Sequence, residues 1–206
     1  MVKVISFDLD GTLVSEDIDD WLWNEEIPRL YGLRNSISFE DAKKEVFAKY
    51  YEELHIKKNK SWFEVEFWFE LFDLSIDTFE DDFKKKVNIL PDVIDTLSYL
   101  SSKYKLVIIS NAGHQFMTKK LNLTNLNKYF YNIFSAEKYS NTKKKDEETF
   151  VKIASLLGVK PVDMVHIGDS PLYDKDIPES VGVKSYLLDP NGNGDISSLK
   201  ELKDIF

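Results

Sequence analysis

The chain has 206 residues and a mass of 24.0 kDa, room for one sizeable domain or for a core domain carrying a smaller insert, and too little for a large multidomain assembly. Hydrophobic residues at 43% and charged residues at 31% lie near globular averages, and no stretch approaches the roughly 18 to 20 consecutive apolar residues of a membrane span, so a soluble cytoplasmic protein with no membrane partner is expected. The lack of cysteine excludes disulfides, thiolate metal sites and cysteine nucleophiles, and a formal charge of -9 opposes nucleic acid as a partner.

The first element is Val2–Phe7, a largely apolar, β-branched run that stops at Asp8-Leu9-Asp10-Gly11-Thr12, the pattern of a buried strand ending in a polar loop. Residues 15–88 carry no strand pattern and read as helical over Ile18–Leu30, Phe39–Glu53, Ser61–Phe72 and Asp77–Val87. Their aromatic run of Trp62, Phe63, Phe67, Trp68, Phe69 and Phe72 fits the interior of a small helical bundle. Helical periodicity resumes at Val93–Lys103. Leu106–Ile109 is a second buried strand, ending at Ser110-Asn111-Ala112-Gly113 before a helix over His114–Leu121. Tyr131–Phe134 is a weaker strand pattern and Glu147–Leu157 a helix. Met164–Ile167 is a further strong strand, ending at Gly168-Asp169-Ser170, and a short helix at Ile177–Val181 and a weaker strand at Ser185–Leu188 follow it.

Strands alternating with helices predict an α/β fold, a doubly wound parallel sheet built from residues 1–14 and 89–206. Residues 15–88 are then an all-helical cap domain inserted after the first strand, lying over the strand ends as a lid. Ligands of such sheets bind outside the carboxyl ends of the strands, so Asp8, Asp10, Ser110, Asn111 and Asp169 are expected to be neighbours. Clustered hard oxygen ligands suit Mg²⁺, and because carboxylates alone repel a phosphate, a cation and a nearby lysine are required beside them. Each piece also has a plainer reading. Asp-x-Asp-Gly is most often a solvated turn, the lysine runs 84–86 and 143–145 are by default solvated surface, and His166 within its strand reads as a buried, hydrogen-bonded core residue. Arg29 and Arg34 are open either to an anionic substrate group or to surface ion pairs.

Taken together, Phe7-Asp8-Leu9-Asp10-Gly11-Thr12-Leu13, Ser110-Asn111, and Gly168-Asp169-Ser170 through Asp174 to Gly182 resemble the first, second and fourth motifs of the haloacid dehalogenase superfamily in its phosphatase form. For the third motif, a lysine six residues before a helix phenylalanine, the best fit is Lys144 before Phe150, with Lys143 and Lys145 leaving the address open by one residue. The resemblance spans the whole chain, helical cap included. It implies that Asp8 attacks phosphorus to form an aspartyl-phosphate, that Asp10 protonates the leaving alcohol and later takes a proton from water, and that Lys144 neutralises charge on nucleophile and phosphate. It further implies Mg²⁺ on the Asp8 carboxylate, the Asp10 backbone carbonyl and Asp169, with phosphate contacts from the Ser110 hydroxyl and the Asn111 N–H. Asp174 would orient Lys144 or a metal-bound water, and Thr12 would fix the loop by a hydrogen bond.

Dehalogenases of the superfamily lack the second acid of the first motif, so the presence of Asp10 points away from dehalogenation. Tyr173 and Lys175-Asp176-Ile177-Pro178 depart from the asparagine and the small glycine-alanine pair common at those places. The expected activity is a Mg²⁺-dependent phosphatase acting on a small phosphorylated metabolite. A sugar phosphomutase on the same scaffold, or a catalytically idle phosphate-binding or signalling protein, are the alternatives.

Overall fold

A computed structural model of the protein describes residues 2–59, 61, 64–75 and 80–206, with side chains for all of these except 80–82. In chain order its elements are β1 (Val4–Phe7), α1 (Asp17–Trp21), α2 (Ile27–Asn35), α3 (Phe39–Tyr51), α4 (Val65–Leu71), α5 (Glu80–Lys86), α6 (Val93–Ser101), β2 (Lys105–Ser110), α7 (His114–Thr124), β3 (Asn132–Ser135), α8 (Glu147–Leu156), β4 (Met164–Gly168), α9 (Ile177–Ser180), β5 (Lys184–Leu187) and α10 (Leu202–Ile205). Two compact units result, Met1–Ser15 with Asn88–Phe206, and Glu16–Val87. Among the described residues no helix is long and apolar enough to cross a membrane.

The first unit is an α/β fold whose parallel strands run in the order β3-β2-β1-β4-β5. A parallel sheet covered on both faces requires strands that are apolar on both sides, and β1, with every residue buried, meets that condition at the centre. Phe7 lies opposite Ile108 of β2 and Ile167 of β4, so these strands end at nearly one level. On one face Val4, Val107, Ile109 and Met164 pack with Phe150 and Ile153 of α8, and burying each of these side chains contributes about 1.5–3 kcal/mol. The chain leaves and re-enters this unit at one place. The Ser15 N–H donates to the Asn88 carbonyl at 3.0 Å, the Leu90 N–H to the Leu13 carbonyl at 3.0 Å, and Val14 bridges Ile89 antiparallel.

The second unit is helical, with Ile18, Leu22, Ala42, Val46, Trp68, Phe69 and Phe83 buried. Tyr50 meets Trp68 edge to face at 4.6 Å. Trp62, Phe63 and residues 77–79 of the expected helices lie outside the described residues. The helix expected over Ile18–Leu30 is divided: α1 opens into a wide helical turn at Leu22–Glu26 and α2 then runs on to Asn35. Pro28 fits the widening, since it has no N–H to donate to the preceding turn and so cannot complete the regular ladder there. Both arginines sit in ion pairs: Arg29 grips buried Glu26 with two nitrogens at 2.7 and 2.6 Å, and Arg34 pairs with Asp73.

α8 begins where Asp146, in extended conformation, accepts the Thr149 N–H at 2.9 Å and hydroxyl donors from Thr149 and Ser140 at 2.7 and 2.5 Å. Burial pushes the Asp146 carboxyl up, but these donors prevail and hold it below its ordinary value. A carboxyl depressed in the folded state contributes stability that is present above its unfolded pKa and lost as the pH falls through the folded one. Asp146→Ala is therefore expected to cost about 1–2 kcal/mol in urea unfolding at neutral pH. The gap from wild type narrows as the pH drops below the ordinary value of 3.8.

Candidate active site

From β1 the chain steps outward to β2 and β3, then returns across β1 to place β4 and β5 on its other side. The crevice between β1 and β4 is the switch point of the sheet, where the connections diverge and leave room for a ligand. Asp8 follows β1 directly, its N–H donating to the Ile167 carbonyl at 2.8 Å, and Asp169 follows β4. Gly11 makes their approach possible. It sits at φ +76°, and a Cβ there would stand 2.5 Å from the Asp169 carboxylate. Thr12 donates its hydroxyl to Asp169 Oδ1 at 2.8 Å.

Asp174 comes from the wide helical turn Pro171–Asp176 and is fully buried. It accepts the Ser170 N–H at 2.9 Å, and its carboxylate lies where a side chain on Gly168 would otherwise be. One carboxylate oxygen from each of Asp8, Asp169 and Asp174 falls within 4.8 Å of the others, a group that could hold a metal ion. Asp8 Oδ1 is buried and has no hydrogen-bond partner among the described residues. An orphaned carboxylate oxygen in an all-oxygen donor set fits a hard divalent cation.

The lysine at these carboxylates is Lys145, one residue beyond the Lys144 that the spacing to Phe150 favours. Its ammonium is fully buried, 3.0 Å from Asp8 Oδ2 and bonded to Asp174 Oδ1. The cap at Asp146 accounts for the shift, because it fixes where α8 starts and so which lysine faces inward. Asn111 reinforces it, its side-chain oxygen accepting the Lys145 N–H at 2.7 Å. The Lys144 N–H instead meets the Thr142 hydroxyl at 3.4 Å. Burial works against the charge on Lys145, yet Asp8 and Asp174 keep its pKa above the ordinary lysine value. Burial raises the Asp8 carboxyl, with Lys145 pulling against the rise. For Asp174 burial is overcome by Lys145 and His166, which hold it well below the usual range.

His166 is fully buried in β4, with Nε2 2.9 Å from Asp174 Oδ1 and Nδ1 2.8 Å from the Ser6 hydroxyl. Burial pushes its pKa down against the pull of Asp174, and a proton on Nε2 gives Asp174 a donor. This is the buried, hydrogen-bonded histidine that its strand position predicts. Ser110, at the end of β2, is buried with its hydroxyl accepting the Ala112 N–H at 3.1 Å. The Asp10 carboxylate, expected beside Asp8, accepts from the ammonium of Lys120 in α7 at 2.6 Å. Sequence reasoning passed over Lys120, although a signal was present. It stands on the apolar face of α7 with Phe116, Met117 and Leu121, where a solvated lysine does not belong.

A doubly wound sheet with paired acids at its switch point and a lysine buried between carboxylates defines a hydrolase-like α/β site. The haloacid dehalogenase-like hydrolase family model matches residues 2–176, and the chain belongs to that family. Among curated relatives it is 23% identical over 170 residues to the GMP/IMP nucleotidase YrfG of Escherichia coli K12, covering 82% of this chain and 75% of the relative. Among solved structures it is similar to a HAD phosphatase from Thermococcus onnurineus, with TM-score 0.78, 27% identity, and 99% and 97% of the two chains covered. A 2-haloacid dehalogenase from Pseudomonas syringae pv. Tomato DC3000 shares the fold at TM-score 0.71 and 20% identity, covering 100% of this chain and 98% of that one. One fold thus serves different chemistries, and the site residues must discriminate between them.

Removing the Lys145 ammonium strands two buried carboxylates. Lys145→Met is expected to lower unfolding stability by about 3–5 kcal/mol, measurable by denaturant titration.

Proposed function

We propose that this chain is a Mg²⁺-dependent phosphatase that hydrolyses a small phosphate monoester through an aspartyl-phosphate on Asp8. The observation that carries the reading is the Asp8 carboxylate itself: held by buried Lys145, with one oxygen orphaned, and followed two residues later by a second acid. Residues 1–14 and 89–206 are the catalytic core on this reading, 15–88 the helical cap, and the cytoplasm the compartment.

Asp8 attacks phosphorus, forming an O–P bond as the bond to the leaving oxygen breaks, and Asp10 gives that oxygen its proton. Water then attacks the aspartyl-phosphate, Asp10 takes the water proton, and the O–P bond to Asp8 breaks to release inorganic phosphate. Lys145 offsets charge on Asp8 and the phosphoryl group, Ser110 and the Asn111 N–H donate to phosphoryl oxygens, and Asp174 with His166 holds Lys145 in place. Asp8, Asp169 and the Asp10 backbone carbonyl would hold Mg²⁺, whose chemistry when bound is Lewis-acid polarisation of the phosphoryl group. The named activity of the relative YrfG supports testing purine nucleoside monophosphates first.

Purified protein is expected to release phosphate from at least one member of a panel containing GMP, IMP, sugar phosphates and p-nitrophenyl phosphate, with Mg²⁺ present and not with chelator. Asp8→Asn should lower turnover by about 10⁴-fold or more. Asp10→Asn should lower it by about 10²–10⁴-fold. Undiminished phosphate release in Asp8→Asn or in chelator refutes the mechanism, and isomerised sugar phosphate in place of free phosphate identifies a mutase.

A further inference from the structure

The haloacid dehalogenase motifs account for one buried lysine, Lys145, and leave a second. Lys120 is fully buried on the inward face of α7, beside Phe116, Met117 and Leu121. An ammonium in such surroundings is tolerated only with a charged or strongly polar partner. Its Nζ lies 2.6 Å from Asp10 Oδ1 and 4.4 Å from the centre of the Phe116 ring. The Asp10 side chain is only 17% exposed. The lysine is buried on its helix face, and its ammonium meets the Asp10 carboxylate there.

We propose that Lys120 is a positioning residue for Asp10, holding Oδ1 so that the other oxygen of the carboxyl group, protonated in the first step and ionised in the second, is turned toward the leaving oxygen and then toward water. The proposal rests on the phosphatase reading. A proton donor works only from a fixed place within hydrogen-bond reach of the oxygen it serves, and a carboxylate on a loop has several rotamers unless something selects one. Lys120 does so from the helix that follows Ser110 and Asn111, so the segment proposed to bind phosphate also fixes the acid that acts beside it.

The test compares kcat/KM, which reports phosphoryl transfer to Asp8, for an alkyl phosphate and for p-nitrophenyl phosphate. An alkoxide must be protonated as it leaves, whereas p-nitrophenolate departs with little help. Lys120→Met is expected to lower kcat/KM about 10²-fold for the alkyl ester and less than about 3-fold for the aryl ester. Lys120→Gln, which keeps a donor without the charge, should lose about tenfold on the alkyl ester. In an Asp10→Asn background Lys120→Met should add no further loss. Circular dichroism and melting temperature establish that each variant is folded. Equal losses on both esters, or a full additional loss in the Asp10→Asn background, overturn the proposal. Wild-type release of phosphate from the alkyl ester tests the phosphatase reading separately, and without it both fall together.

Discussion

Three buried charges at the end of β1 set the terms for everything around them. Lys145 sits between Asp8 and Asp174 with no exposed surface, and Asp174 is as buried as the lysine. Ions so placed lose several kcal/mol of hydration each, and mutual attraction recovers that only with good geometry and further hydrogen bonds. The surrounding structure supplies both. His166 and the Ser170 N–H complete the coordination of Asp174, Asn111 anchors the backbone of Lys145, and Asp146 sets the helix start that aims it. One oxygen of Asp8 is left out of this arrangement, and the proposed chemistry takes place there.

The sheet does the rest of the positioning. A central strand paired in parallel with a neighbour on each side delivers residues distant in sequence to one rim, and the loops need add only small corrections. Glycine provides two of them. At positions 11 and 168 any side chain would occupy space that carboxylates of Asp169 and Asp174 already fill, so both are required by close approach of acids.

Much of this was legible in the sequence because strongly apolar runs leave few alternatives. Val4–Phe7, Lys105–Ser110 and Met164–Gly168 are strands that their β-branched composition predicts, within one or two residues at the ends. What the sequence hid depends on three-dimensional register. Counting back from Phe150 selected Lys144, yet the lysine that turns inward is determined by a cap, and a spacing rule shifts by one when the extended residue before the helix is counted differently. Lys120 carries no motif of its own, and its one signal in the sequence is a charge at a position that helical periodicity places with Phe116, Met117 and Leu121. The division of the Ile18–Leu30 helix could have been anticipated from Pro28, the one residue in that stretch unable to continue a helix from its preceding turn.

The crossing pair formed by Ser15 with Asn88 and Leu13 with Leu90 has a modular consequence. Since the outgoing and returning backbones are hydrogen-bonded side by side, the chain departs from the first unit and rejoins it at one point. Changes of length or sequence between residues 16 and 87 are therefore expected to leave the pairing of β1 with its neighbours as it is.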